Sequence, residues 1–193
     1  SATVRVLTPL DPDWPDPLGD VLPRVASLWT LGDHALLEGP MVAVVGTRHP
    51  TEYGRRVTAQ LVHALATAGV TVVSGLARGI DGIAHQTALD AGGRTIAVLG
   101  TGVDVPYPAG HRGLHARIAS QGLVLSEMRP GTRAFAGCFP RRNRIIAGLA
   151  SVTVVVEAGV RSGAQNTAAA ALAADRVVAA VPGPIDSPQS AGT

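Results

Sequence analysis

Residues 41–75 read MVAVVGTRHPTEYGRRVTAQLVHALATAGVTVVSG, and this stretch decides the fold. Val42–Val45 is a short apolar run broken by Gly46, as expected of a strand buried on both faces. Thr51 stands where a helix cap is wanted, Val57, Leu61 and Leu65 recur on one helical face, and Gly69 supplies the stop. A second apolar run, Val70–Val73, follows at once. Strand, glycine turn, helix, strand is a βαβ unit, which pairs its strands in parallel through a right-handed crossover.

The alternation continues down the chain. Apolar runs at Thr95–Leu99, Leu123–Leu125, Val152–Val156 and Val177–Val181 predict further strands. Helices are predicted at about Ile80–Ala91, His111–Ser120, Pro140–Ala150 and Gly163–Ala173. The fold class is therefore α/β, a doubly wound, mainly parallel sheet with helices on both faces. Residues 1–40, rich in Pro and Asp, read as an irregular lead-in with one short strand at Val4–Leu7, pinned to the body by Trp14 and Trp29. Residues 41–193 form the main domain.

Composition narrows the function. Hydrophobic residues make up 46% and aromatics only 3%, so the core must be built from Ala, Val, Leu and Ile. All sixteen basic residues are arginine, whose planar fork binds phosphate bidentately and stacks on bases. Residues 1–40 hold two Arg against six Asp or Glu, a net −4, whereas residues 41–193 hold fourteen against eight, a net +6. An anionic partner belongs to the second part. Cys138 is the single cysteine, which excludes a disulfide framework and fits a reducing, cytoplasmic setting. No apolar stretch is long enough to span a membrane, and no cofactor is indicated.

Residues 128–156 contain Arg129, Arg133, Arg141, Arg142 and Arg144 and no acid. Within them, Phe139-Pro-Arg-Arg-Asn-Arg-Ile-Ile-Ala-Gly148 reads as a helix start with Pro140 at the first helical position and Phe139 as a poor cap. Arginines in a first turn oppose the helix dipole, and a bound phosphate would relieve both problems. Phe135 and Phe139 flank the motif.

Three glycine loops follow predicted strands. Val45-Gly46-Thr47-Arg48 lets backbone approach a ligand and sets Arg48 at the rim. Ser74-Gly75-Leu76-Ala77-Arg78-Gly79-Ile80-Asp81 could form an amide nest for an anion, with Arg78 adding charge, or could be a tight connection whose Asp81 caps a helix. In Glu157-Ala158-Gly159-Val160-Arg161-Ser162-Gly163, Glu157 could act as a general base, but orienting an arginine is the favoured reading. His111 and His115, four apart, are read as a solvent-facing helix rather than a zinc pair.

These motifs, with Val181-Pro182-Gly183, closely resemble in order and spacing the DNA-processing protein A family, also called Smf. The match covers essentially residues 41–190. The resemblance implies an extended Rossmann-like domain that binds single-stranded DNA, dimerises and helps load the recombinase RecA in natural transformation and DNA recombination, with no reaction catalysed. The family's DNA pocket maps onto Arg48, Phe139, Arg141, Asn143 and Arg144, with Phe139 stacking on a base. Gly46, Arg78, Arg133 and Arg142 join the expected DNA surface, and Ser74, Gly75, Gly79, Glu157, Ser162 and Gly163 the supporting loops. Relatives often carry a basic residue where Ala136, Gly137 and Cys138 stand, leaving Arg133 as the nearest substitute. The additional N- and C-terminal domains of many relatives are expected to lie outside these residues.

The rival class is a Rossmann-like nucleoside-monophosphate phosphoribohydrolase, with Glu157 and Arg48 acting on an N-glycosidic bond. Its PGGxGT loop is not supplied by Pro182-Gly183-Pro184-Ile185.

Overall fold

The computed structural model describes residues 3–160, 162–183 and 187–193. Arg161, Pro184 and Ile185 lie outside them. The described residues form one eight-stranded sheet: β1 (Val4–Leu7), β2 (Leu28–Gly32), β3 (Met41–Val45), β4 (Thr71–Ser74), β5 (Thr95–Leu99), β6 (Leu123–Ser126), β7 (Val152–Val155) and β8 (Val177–Ala180). Five helices cover it: α1 (Glu52–Thr67), α2 (Ile80–Asp90), α3 (Arg112–Gln121), α4 (Cys138–Leu149) and α5 (Gly163–Ala173).

The strand order is β1-β2-β6-β5-β4-β3-β7-β8. Strands β6 through β8 in that order are parallel, as the apolar runs require, with β3 pairing β4 on one side and β7 on the other. From β3 the chain winds outward through β4 and β5 to β6, then crosses back through α4 to β7. The reversal creates a switch point at the carboxyl ends of β3 and β7.

The lead-in differs from its sequence reading. Residues 28–32 form a second strand, antiparallel to β6, and β1 adds antiparallel outside it. Its pattern, Leu-Trp-Thr-Leu-Gly, has Leu28 and Thr30 fully buried, so it is a true member of the sheet. Leu18 and Val21 from the same region lean on α4, where Gly148 leaves room for Val21 that a Cβ would fill.

Two apolar layers result. Leu18, Val21, Ile145, Ile146, Leu149 and Ala164 lie on the α4–α5 face. Val62, Ile80, Ala84 and Ala88, with Val57, Leu61 and Leu65 against them, fill the α1–α2 face. Thr51 caps α1 as its position suggests, its hydroxyl accepting from the Gly54 amide at 3.1 Å.

His85 lies wholly inside this second layer. Thr95 Oγ1 donates to the Val72 carbonyl at 2.9 Å, so His85 Nδ1, 2.7 Å away, donates to Thr95 Oγ1. Burial, assisted by His111 and Arg142, pushes His85 down to about 3. The unfolded chain takes up a proton near pH 6.5 that the folded chain refuses until about 3, so stability contributed by neutral His85 is lost as pH falls through that window. Thermal or urea unfolding between pH 6 and 4 should show wild type losing up to about 1.4 kcal/mol per pH unit more than His85→Gln.

Candidate nucleic-acid interface

The carboxyl edge of the sheet is where short loops leave the strands. Thr47 N–H donates to the Glu157 carbonyl at 2.7 Å and Ile80 N–H donates to the Thr47 carbonyl at 3.1 Å, so the loops after β3, β4 and β7 are stitched together. Gly46 sits in the seam, where a Cβ would lie 2.5 Å from Ile80 Cγ1 and 3.0 Å from the Glu157 carbonyl. Gly79, at φ 76°, faces the Thr47 carbonyl. Only glycine fits both needs there.

A cleft of about 430 Å³ opens above this seam at the switch point, lined in part by Gly46, Arg48, Phe139, Arg142, Asn143, Ser162 and Gly163. On the other side of Phe139 a second hollow of about 270 Å³ is walled by Arg48, Gly75, Arg78, Tyr107 and Arg142. Phe139, Arg48 and Arg142 belong to both. The Phe139 ring lies 5.0 Å from that of Tyr107, tilted by 33°, and the Arg142 guanidinium carbon lies 5.8 Å from its centroid.

Arg142 is the floor between them, 7% exposed. Its Nη1 donates to the Gly75 and Val98 carbonyls, and its Nε donates to Asn143 Oδ1 at 3.1 Å. A Cβ on Gly75 would lie 2.6 Å from that Nη1, so glycine lets the guanidinium lie flat against the loop. Burial holds the guanidinium below its usual range, with Asp81 pulling the other way. Burial pushes the Asp81 carboxyl up against the pull of Arg142 and of the Gly75 amide, which donates to it at 3.0 Å. Asp81 thus fills the nest after β4 and makes the loop a tight connection, but it does not cap α2, whose N-cap Gly79 has no side-chain cap bond.

The helix start differs from expectation. α4 begins at Cys138 after Gly137, which has φ 88°, so Pro140 is the third helical residue and Phe139 the second. The Arg141 amide already bonds the Gly137 carbonyl at 3.2 Å. Nor do the arginines lack a carboxylate. Glu127, just before the acid-free window, accepts from Arg144 Nη2 at 2.7 Å and from Arg141 Nε at 3.0 Å. The Arg144 and Glu127 side chains are 8% and 11% exposed, so that pair is internal. Arg141 stays half exposed.

Glu157 also departs from its predicted partner. Its carboxylate accepts from the Thr51 amide at 2.9 Å and from the Thr51 hydroxyl, closing the start of α1 instead of orienting an arginine. Gly54 leaves space for that carboxylate. His111 and His115 are not solvent-facing: His111 Nδ1 meets the Leu76 carbonyl at 3.0 Å, and buried His115 Nε2 meets the Val103 carbonyl at 2.7 Å. Among the described residues no group of three or more His, Cys, Asp or Glu could hold a metal ion.

Of the residues singled out in the sequence, Gly46, Arg48, Gly75, Arg78, Phe139, Arg142, Asn143, Ser162 and Gly163 come together around the two hollows. Ser74 lies behind them, donating to the Val44 carbonyl at 2.7 Å. Arg133, Arg141 and Arg144 line neither hollow. Tyr107 escaped the sequence reading, as did His49 and Asn166, which also line the cleft. The signal for Tyr107 was its place in the loop after β5, a fourth loop at the same carboxyl edge.

Strand order and a basic cleft at the switch point define a Rossmann-like α/β protein. The family model for DNA recombination-mediator protein A matches residues 5–193, and the chain belongs to that family. It is 50% identical to a DNA processing protein DprA of Mycobacterium tuberculosis (strain ATCC 25618 / H37Rv) over 97% of this chain and 52% of that protein. The solved structure of DNA processing protein A from Streptococcus pneumoniae superposes with a TM-score of 0.94 at 40% identity, over 98% of this chain and 67% of that one. A Helicobacter pylori structure, described by its single-stranded DNA binding mode, gives 0.89 at 30% identity over 97% and 85%. The chain spans about half the length of the curated relatives it matches first. No helix among the described residues is long and apolar enough to cross a membrane.

The Glu127 pair yields a direct test. Glu127→Gln leaves a buried guanidinium without its counter-charge and should cost roughly 3–5 kcal/mol, read as a lowered melting midpoint. Arg141→Ala, on the exposed side, should cost under about 1 kcal/mol.

Proposed function

We propose that this chain binds single-stranded DNA across the two hollows, as a recombination mediator that helps load RecA during natural transformation. The observation that carries this reading is the Phe139–Tyr107 ring pair flanked by exposed Arg48 and Arg78, with Arg142 buried beneath it, in a lining whose one carboxylate among the described residues, Asp81, is buried. Rings with exposed faces stack on any base, while guanidinium forks hold phosphates, and together they bind a strand without reading its sequence. Asn143, Ser162 and Gly163 extend the polar wall, and Gly46 lets the β3 loop close tightly against Ile80 and the Glu157 carbonyl beneath it.

The chain acts without catalysis in this reading. Glu157, the candidate base of a phosphoribohydrolase, is engaged by Thr51 and lines neither hollow. The protein works in the cytoplasm as a homodimer, for which Leu172 and Val177, both large and exposed along the β8 edge, offer apolar area. Sedimentation at several concentrations should show a dimer that Leu172→Asp weakens.

The cleft is tested by titrating labelled oligothymidine while AMP is incubated in parallel and ribose 5-phosphate followed. Oligonucleotide binding with no sugar phosphate release is expected; turnover without binding overturns the proposal. Phe139→Ala should weaken binding by roughly 1–3 kcal/mol with an unchanged salt slope. Arg48→Ala should flatten the slope of log affinity against log salt by about 0.7, with the melting midpoint little moved. A Phe139→Ala protein that melts and binds like wild type removes the stacking role.

A further inference from the structure

The chain has only two Trp, two Tyr and two Phe, so the placement of each is informative. Trp14 and Trp29 pack on the core, and the Tyr53 hydroxyl donates to the Pro182 carbonyl at 2.7 Å. Tyr107 and Phe139 make the ring pair of the cleft. That leaves Phe135, 48% exposed, in the loop between β6 and α4 and without a ring partner among the described residues. About half of its surface therefore remains in contact with water.

The backbone around it is held. Gly131 N–H donates to Asp104 Oδ1 at 2.7 Å, Gly102 N–H donates to the Thr132 carbonyl at 2.9 Å, and Cys138 N–H donates to the Phe135 carbonyl itself at 3.3 Å. The loop after β6 is thereby pinned onto the loop after β5, the one that carries Tyr107. Arg129 and Arg133 stand exposed in the same loop, and neither has a carboxylate within ion-pair distance among the described residues. The nearby acids are otherwise engaged, Asp104 by Gly131 and Glu127 by Arg141 and Arg144.

Sheet order gives these pieces a direction. Along the carboxyl edge the neighbours are β7, β3, β4, β5 and β6, and their loops present in turn Gly163, Arg48, Arg78, Tyr107 and then Arg133 with Phe135. Adjacent parallel strands lie about 4.8 Å apart, so each loop is the next station beyond the last. We propose that Phe135, with Arg129 and Arg133, is a second stacking and phosphate-binding station, which carries a bound single strand out of the cleft and along the β6 loop. This rests on the single-strand reading of the cleft, and the occupant is nucleic acid rather than protein because ring and unpaired guanidinium groups continue the same alternation in the same row.

The test uses the full chain and two oligothymidines, of about four and about twenty nucleotides, which bracket the usual span of sequence-tolerant single-strand sites. Phe135→Ala should lose about fivefold or more in affinity for the longer strand, lose nothing for the shorter one, and keep its melting midpoint and salt slope. Arg133→Ala should flatten the slope by about 0.7 for the longer strand alone. Phe135→Trp should bind as wild type does, and a longer strand carrying 5-iodouracil should photocrosslink to the peptide containing Phe135. Equal affinity of wild type and Phe135→Ala for both lengths overturns this station while leaving the cleft intact. Wild type that binds neither length overturns the cleft reading itself.

Discussion

The guanidinium of Arg142 joins more of this structure than any other single group. It comes from α4, which lies on one face of the sheet, and reaches the carbonyls of Gly75 and Val98 at the carboxyl ends of β4 and β5. Removing a guanidinium from water is costly, and two carbonyls, Asn143 and the nearby Asp81 offset that cost only in this one geometry. Consequently α4 is locked in rotation and height. Phe139, one turn earlier, is fixed over the guanidinium as a wall between two hollows, and Gly75 must remain glycine for the fork to lie flat.

The position of α4 has a topological cause. It is the crossover from β6 back over the sheet to β7, so it spans the reversal of winding at β3. Helix and switch point are therefore brought together by chain connectivity, and the motif on α4 meets loops far away in sequence. Glu157 works at the same junction from another direction: it ends β7 and closes the start of α1, which holds the β3 loop shut from behind and leaves Arg48 facing outward.

The parallel core was legible because its signals are local. Apolar runs such as Val42–Val45 and Thr95–Leu99, a capping threonine at 51 and glycines at 46, 75 and 79 each report on their own neighbourhood. β2 was not legible, since its five residues have no strict alternation and enter the sheet by pairing with β1 on one side and with β6, nearly a hundred residues later, on the other. The start of α4 was misplaced by two residues because Pro140 suits the first helical position in isolation, whereas Gly137 at φ 88° sets the actual start. His111 and His115 looked like a wet helix face by spacing alone; their carbonyl partners, Leu76 and Val103, belong to other loops.

Counting charges misleads for the same reason. The acid-free window from 128 to 156 seemed to offer five arginines to an anion, yet each has its own fate once folded. Arg142 is bound to carbonyls, Arg144 to Glu127, and Arg141 shares that carboxylate, so the acid just outside the window neutralises much of it. Arg129 and Arg133 remain exposed, and two further exposed guanidinium groups at this edge, Arg48 and Arg78, come from loops the window does not contain. Free positive charge is thus set by which cations the fold leaves unpaired, and among the described residues those at the carboxyl edge of the sheet are dispersed along it, one loop after another. A row of that shape suits an extended polyanion better than a compact one, because successive charges meet successive phosphates while a single phosphate would reach only one or two of them.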